Sequence, residues 1–161
     1  MGNQQIVMKK KIKTALISVF DKKNLKQLLN ILKKNKIKII SSGGTYKEIK
    51  KLKFKCIEVS EFTKSPEILD GRVKTLHPKV HAGILNKREK KSHLKDLKNY
   101  NFENIDLVIV NFYPFENTLK KTTNHNKIIE NIDVGGPTMV RSAAKNYNDV
   151  TVITSSEQYK E

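Results

Sequence analysis

The sequence predicts an α/β domain: a parallel sheet with helices on both faces, three layers in all. Three observations carry that prediction. Short apolar runs rich in branched residues alternate with segments whose apolar residues recur at helical spacing. The run Ile105 to Phe112 (IDLVIVNF) has an unbroken apolar centre, as a strand covered on both faces requires. The length of 161 residues suits one domain with room for a sizeable core.

Residues 1–12 read as a mobile basic lead, ahead of a domain over 13–161. Thr14 to Phe20 (TALISVF) is the first strand. Asp21 can cap the next helix, in which Leu25, Leu28, Leu29 and Leu32 share one face up to Asn35. Ile37 to Ile40 is a second strand, stopped by Ser41-Ser42-Gly43-Gly44-Thr45. A short helix follows with Tyr46, Ile49 and Leu52 on one side, then a third strand from Phe54 to Val59. Ser60 to Asp70 is a polar loop containing Pro66, and Gly71 to Leu85 reads as neither plain strand nor plain helix. Arg88 to Tyr100 is a charged helix. The strand from Ile105 is broken by Tyr113-Pro114-Phe115. Ile128 to Ile132 forms a short helix, Gly135-Gly136-Pro137 opens another through Lys145, and Val150 to Ile153 is the last strand.

The net charge of +16 invites a nucleic-acid reading. The kind of charge argues against specific binding. The only arginines are Arg72, Arg88 and Arg141, and the lysines are scattered along the chain. Base readout favours arginine, and single strands need aromatic platforms; aromatics are 7% and do not repeat in a stacking pattern. Lysine, asparagine and isoleucine, all abundant here, are also AT-rich codons. A surface this basic still binds polyanions non-specifically at low salt. The single cysteine, Cys56, excludes a disulfide framework within the chain and reads as an inert buried thiol. The longest apolar run is too short for a signal core or a membrane span. A cytoplasmic protein is the expectation.

Ligands of such sheets gather at the carboxyl ends of the strands. The polar residues sit there: Asp21 and Lys22 after the first strand, Ser42-Gly43-Gly44-Thr45 after the second, Asn111 and Tyr113 after the strong one. A glycine-rich turn into a helix suits a phosphate, and equally an ordinary strand–helix turn; SGGT alone leaves both open. It is neither a Walker loop nor a dinucleotide fingerprint. The segment GRVKTLHPKVHAGIL adds the fork of Arg72, the point charge of Lys74 and the hydroxyl of Thr75, a combination suited to a small anion. His77 and His81 stand four apart, but no third ligand follows at a familiar spacing and Pro78 disfavours a helix through both, so no metal is expected. Asp133 is a helix cap or a functional carboxylate beside the N–H groups of a helix start. Lys145 lies about 15 Å along that helix from Gly135, so helical geometry does not bring it to Asp133.

Taken together, SVFDK, SGGT, GRVKTLHPKVHAGIL, NFYPF, and DVGG followed by RSAAKN resemble the IMP cyclohydrolase domain, over about residues 13–155. That domain is the N-terminal half of a bifunctional purine biosynthesis protein whose other half is AICAR formyltransferase. The resemblance implies a methylglyoxal-synthase-like α/β fold. It implies closure of the pyrimidine ring of 5-formamidoimidazole-4-carboxamide ribotide (FAICAR) to IMP and water, without metal or organic cofactor. It assigns Asp133 to the attacking amide nitrogen, Lys74 and Tyr113 to the formyl oxygen, and Lys145 to proton transfer. Substrate contacts fall on Asp21, Lys22, Ser42, Gly43, Gly44, Thr45, Arg72, Val73, Thr75, Val110, Asn111, Val134 and Gly135. The partners implied are the nucleotide and, in the family, the fused formyltransferase; a homodimer stays open, and no nucleic acid or membrane is implied. Phe20 stands where the family usually carries a small polar residue. The formyltransferase half is absent from this sequence, so folate-dependent formyl transfer is not expected of it. A binding-only regulatory module of the same fold is the alternative.

Overall fold

A computed structural model describes residues 10–160. Within them, strands β1 (Thr14–Val19), β2 (Lys38–Ser41), β3 (Ile57–Glu58), β4 (Leu107–Asn111) and β5 (Thr151–Ile153) form one parallel sheet in the order β3-β2-β1-β4-β5. The helices are α1 (Leu25–Lys34), α2 (Gly43–Lys51), α3 (Val59–Thr63), α4 (Pro78–Leu85), α5 (Lys91–Asn99), α6 (Phe115–Lys121), α7 (His125–Glu130) and α8 (Gly135–Lys145).

Alternation along the strands divides the core. Ala15, Ile17 and Val19 of β1, with Leu107 and Ile109 of β4, face Leu25, Leu28, Leu29 and Leu32 of α1. Leu16, Val108 and Val110 point the other way, onto Val80 and Ile84 of α4 and Met139 and Ala143 of α8. Burying one such leucine or isoleucine is favourable by about 1.5–3 kcal/mol, so α1, α4 and α8 are held by their apolar stripes while their lysines stay in water. This is the three-layer α/β architecture expected from the sequence.

From β1 the chain winds outward through β2 and β3, then returns to lay β4 and β5 on the other side. The connections diverge between β1 and β4, and a crevice opens there at the carboxyl ends of the strands.

Several local expectations are corrected. The third strand shrinks to Ile57–Glu58 because the chain before it is spent leaving α2: Lys53 turns left-handed (φ 62°) and the Phe54 N–H donates to the Ile49 carbonyl at 3.2 Å. Asp21 does not cap α1. The cap position is Asn24, and the Asp21 carboxylate accepts from the Lys23 N–H at 2.9 Å. Part of the Ser60–Asp70 loop is helical, with Phe62 buried from α3, while Leu69–Gly71 forms a tight turn of left-handed residues. Pro78 starts α4, its missing N–H falling at a position with no helical partner. Residues 1–9 of the expected lead lie outside the described residues. Residues 10–12 are anchored: Lys10 pairs with the Asp149 carboxylate and donates to the Asn148 carbonyl at 2.8 Å, and Ile12 packs on the core.

Candidate active site

The crevice at the β1–β4 junction is a cavity of about 790 Å³, within the usual range for a small-molecule site. Its floor is the exit of β1. There the Thr45 hydroxyl accepts from the Val19 N–H at 3.0 Å and donates to the Val19 carbonyl at 2.9 Å, tying the start of α2 to the end of β1. The Asn111 side chain does the same from β4. Its Oδ1 accepts from the N–H groups of Phe20 (2.6 Å) and Asp21 (3.0 Å), and its Nδ2 donates to the Asp21 carbonyl at 2.9 Å.

These clamps fix an anion-attracting corner. Ser42 precedes α2 in extended conformation and Gly43 turns left-handed (φ 54°), so the first N–H groups of α2 open toward the cavity. Lys22 overhangs them. Its ammonium donates to the carbonyls of Val19 (2.9 Å) and Phe20 (2.8 Å), and a Cβ added at Gly44 would lie 4.0 Å from it.

The opposite wall comes from the segment Gly71–Leu76 and the start of α8. Arg72 donates to the Glu130 carboxylate of α7 at 2.6 Å. The Lys74 ammonium lies 3.3 Å from the Glu67 carboxylate. The buried Thr75 hydroxyl sits where a Cβ on Gly135 would come within 2.7 Å of it. Asp133 is half-buried and stands one residue before the cap position Val134, its Oδ1 accepting from the Gly136 N–H at 2.8 Å; a Cβ on Gly136 would meet its other oxygen at 2.4 Å. Tyr113 stands at the rim, half exposed, edge-to-face with Phe20 at 5.4 Å between centroids.

Lys22, Ser42, Gly43, Gly44, Thr45, Arg72, Lys74, Thr75, Asn111, Tyr113, Asp133, Val134 and Gly135 are thus brought to one cavity. Four assigned residues are not. Val110 alternates into the core facing α4 and α8. Val73 is held in an isolated antiparallel bridge to Ile68, behind the wall. Asp21 turns onto the backbone of its own loop. Lys145 is exposed on the last turn of α8, the end away from Gly135, as the helical rise requires. The sequence reading missed Glu130, Ile129 and Ile132, which line the cavity from the α7 region. Phe20, a departure from the family pattern, forms part of the wall and supports Tyr113.

His77 and His81 have structural roles. His77 caps α4, its Nδ1 accepting from the Lys79 N–H at 3.1 Å, and His81 Nδ1 lies 3.1 Å from the Ser142 hydroxyl of α8. Burial pushes the His81 imidazole below the ordinary histidine range. Among the described residues no group of three or more His, Cys, Asp and Glu side chains is placed to hold a metal ion, and no helix is long and apolar enough to cross a membrane. Burial pushes the Cys56 thiol up to about 12, so it is protonated and unreactive near neutrality.

Comparison with known proteins places this geometry in a family. The chain is 53% identical over 148 residues to the bifunctional purine biosynthesis protein PurH of Prochlorococcus marinus subsp. pastoris, and 52% identical over 149 residues to PurH of Acetivibrio thermocellus. These alignments cover 91% and 92% of the chain but 29% of each relative, so the chain spans under a third of their length. Among solved structures, the crystal structure of ForH superposes with a TM-score of 0.80 at 31% identity, covering 92% of this chain and 76% of that one. The model of the MGS-like domain matches residues 24–138, which is most of the chain, and the chain belongs to the MGS-like domain family.

Proposed function

We propose that this chain is an IMP cyclohydrolase domain, closing FAICAR to IMP in the cytoplasm with loss of water. One observation carries the reading: a phosphate-suited corner and three side chains fitted to ring closure, Lys74, Tyr113 and Asp133, line the same cavity. High identity to PurH proteins of purine biosynthesis supports it.

The chemistry matches the residue types. The carboxamide nitrogen bonds to the formyl carbon, and the former formyl oxygen then leaves as water as the ring C=N bond forms. An amide nitrogen is a poor nucleophile until a base takes its proton. Asp133 is the base, its carboxylate oriented by the Gly136 N–H. The formyl oxygen gains charge as the nitrogen adds, and Lys74 and Tyr113 donate to it. One such donor is worth about 3 kcal/mol of barrier. The ribotide phosphate lies at the N-terminus of α2 beneath Lys22, with Arg72 as a second cation. Lys145, at the far end of α8, keeps no role in this reading. The proposed partner activity, as the resemblance implies, is the formyltransferase that supplies FAICAR.

The test is conversion of FAICAR to IMP by the purified chain, followed by ultraviolet absorbance. Turnover is expected, with Lys74→Ala lowering kcat by about two orders of magnitude while leaving the circular dichroism spectrum unchanged. IMP binding without turnover would replace the enzyme with a binding module.

A further inference from the structure

We infer that Glu67, outside the cavity, is a positioning residue that holds the Lys74 ammonium in its working place; this rests on the role given to Lys74 above. The pairing is built into the backbone. Ile68 and Val73 form an isolated antiparallel bridge, so Glu67 and Lys74, one residue further out on each side, stand opposite one another as a cross-strand pair. The link between them carries three successive left-handed residues, Leu69 (φ 53°), Asp70 (φ 52°) and Gly71 (φ 84°). Two of these are not glycine, a strained arrangement that persists only where its surroundings over-determine it.

The Lys74 side chain then runs through a slot between two glycines. A Cβ on Gly71 would fall 2.2 Å from Lys74 Cε and 2.9 Å from its Nζ, and one on Gly43 would fall 3.0 Å from Nζ. The slot delivers the ammonium beside Gly43 at the N-terminus of α2, one residue from Gly44, whose Cβ position is 4.0 Å from the Lys22 ammonium. Both neighbours are positive, one by helix dipole and one by formal charge. A flexible lysine would swing away from such a corner without a nearby negative charge. The Glu67 carboxylate, 3.3 Å away and partly shielded from solvent, supplies it from behind. The cavity is left free for an anionic ligand.

The experiment compares wild type, Glu67→Gln, Glu67→Asp, Lys74→Ala and the double variant Glu67→Gln/Lys74→Ala. Two readouts are taken: trace acetic-anhydride labelling of each lysine by mass spectrometry, and FAICAR kinetics. Glu67→Gln is expected to raise labelling at Lys74 severalfold relative to the other lysines, and Glu67→Asp to restore most of the protection. In turnover, Glu67→Gln lowers kcat by about two- to fivefold, the scale of a partly exposed ion pair, with KM near wild type. In the Lys74→Ala background it has no further effect, since its action passes through that lysine. Unchanged Lys74 labelling, or losses that add in the double variant, would overturn the inference. A wild-type chain that forms no IMP defeats the functional reading instead, and the labelling arm still decides the role of Glu67.

Discussion

Replacing Thr45 by valine tests whether the site is clamped to the sheet as described. The substitution keeps shape and removes one hydroxyl. Thr45 is only 4% exposed, and that hydroxyl accepts from the Val19 N–H and donates to the Val19 carbonyl. The carbonyl keeps a second donor, the Lys22 ammonium at 2.9 Å. The N–H is left buried and unpaired. The cost is therefore that of one orphaned backbone donor, about 1–3 kcal/mol, rather than two. For a domain of this size that lowers Tm by roughly 3–10 °C, and IMP affinity falls as well because the start of α2 loses its tie to β1. Thermal unfolding by circular dichroism and calorimetric titration with IMP read the two effects. Thr45→Ser, which keeps the hydroxyl, is the control. A Thr45→Val chain melting with wild type would refute the clamp.

Three other substitutions probe the remaining parts of the molecule. Gly135→Ala places a Cβ 2.7 Å from the buried Thr75 hydroxyl; we expect IMP affinity to drop about tenfold or more, from about 1–3 kcal/mol of overpacking, and unchanged calorimetry would show that this wall yields. Phe20→Ser removes a half-exposed ring, so folding is retained while the edge-to-face support of Tyr113 is lost, worth about 0.5–1.5 kcal/mol; a collapse of the melting transition would make Phe20 a core residue. His81 is held neutral by burial. The unfolded chain takes up the proton first, so stability from this group is full above about pH 6.5 and falls as pH drops toward the lowered folded value. His81→Gln should flatten the acid limb of a stability–pH curve measured by urea unfolding, and an unchanged slope would contradict that.

Much of the sheet is readable because buried parallel strands must be apolar on both faces: TALISV and LVIV are hydrophobic for that reason alone. The helices near the site are harder. Leu119, Ile129 and Ile132 remain exposed, so α6 and α7 lack the apolar stripe that marks α1. Pro78 reads as a barrier when a helix is sought through both His77 and His81; as a first helical residue it is instead a start signal. The gathering of Lys22, Thr45, Asn111 and Tyr113 follows from the strand-end rule. Glu67 and Glu130 are invisible to it: neither stands at a strand end, and each meets its cation, Lys74 or Arg72, only once the chain has folded. Val110 and Lys145 came to the site through similarity alone. Strand alternation and helical rise take both elsewhere.

The strand order has a consequence for how the molecule assembles. β1 pairs with β4 across most of the intervening chain, Ala15 beside Leu107, and closing so long a loop is a slow, entropically opposed step. The cavity straddles that same seam, so it comes into being only when the two halves of the sheet meet. A ligand bound there sees no partly folded form to bind. Its affinity is therefore added in full to the global unfolding free energy, and a rise in melting temperature measures occupancy of the whole fold rather than the stiffening of one loop.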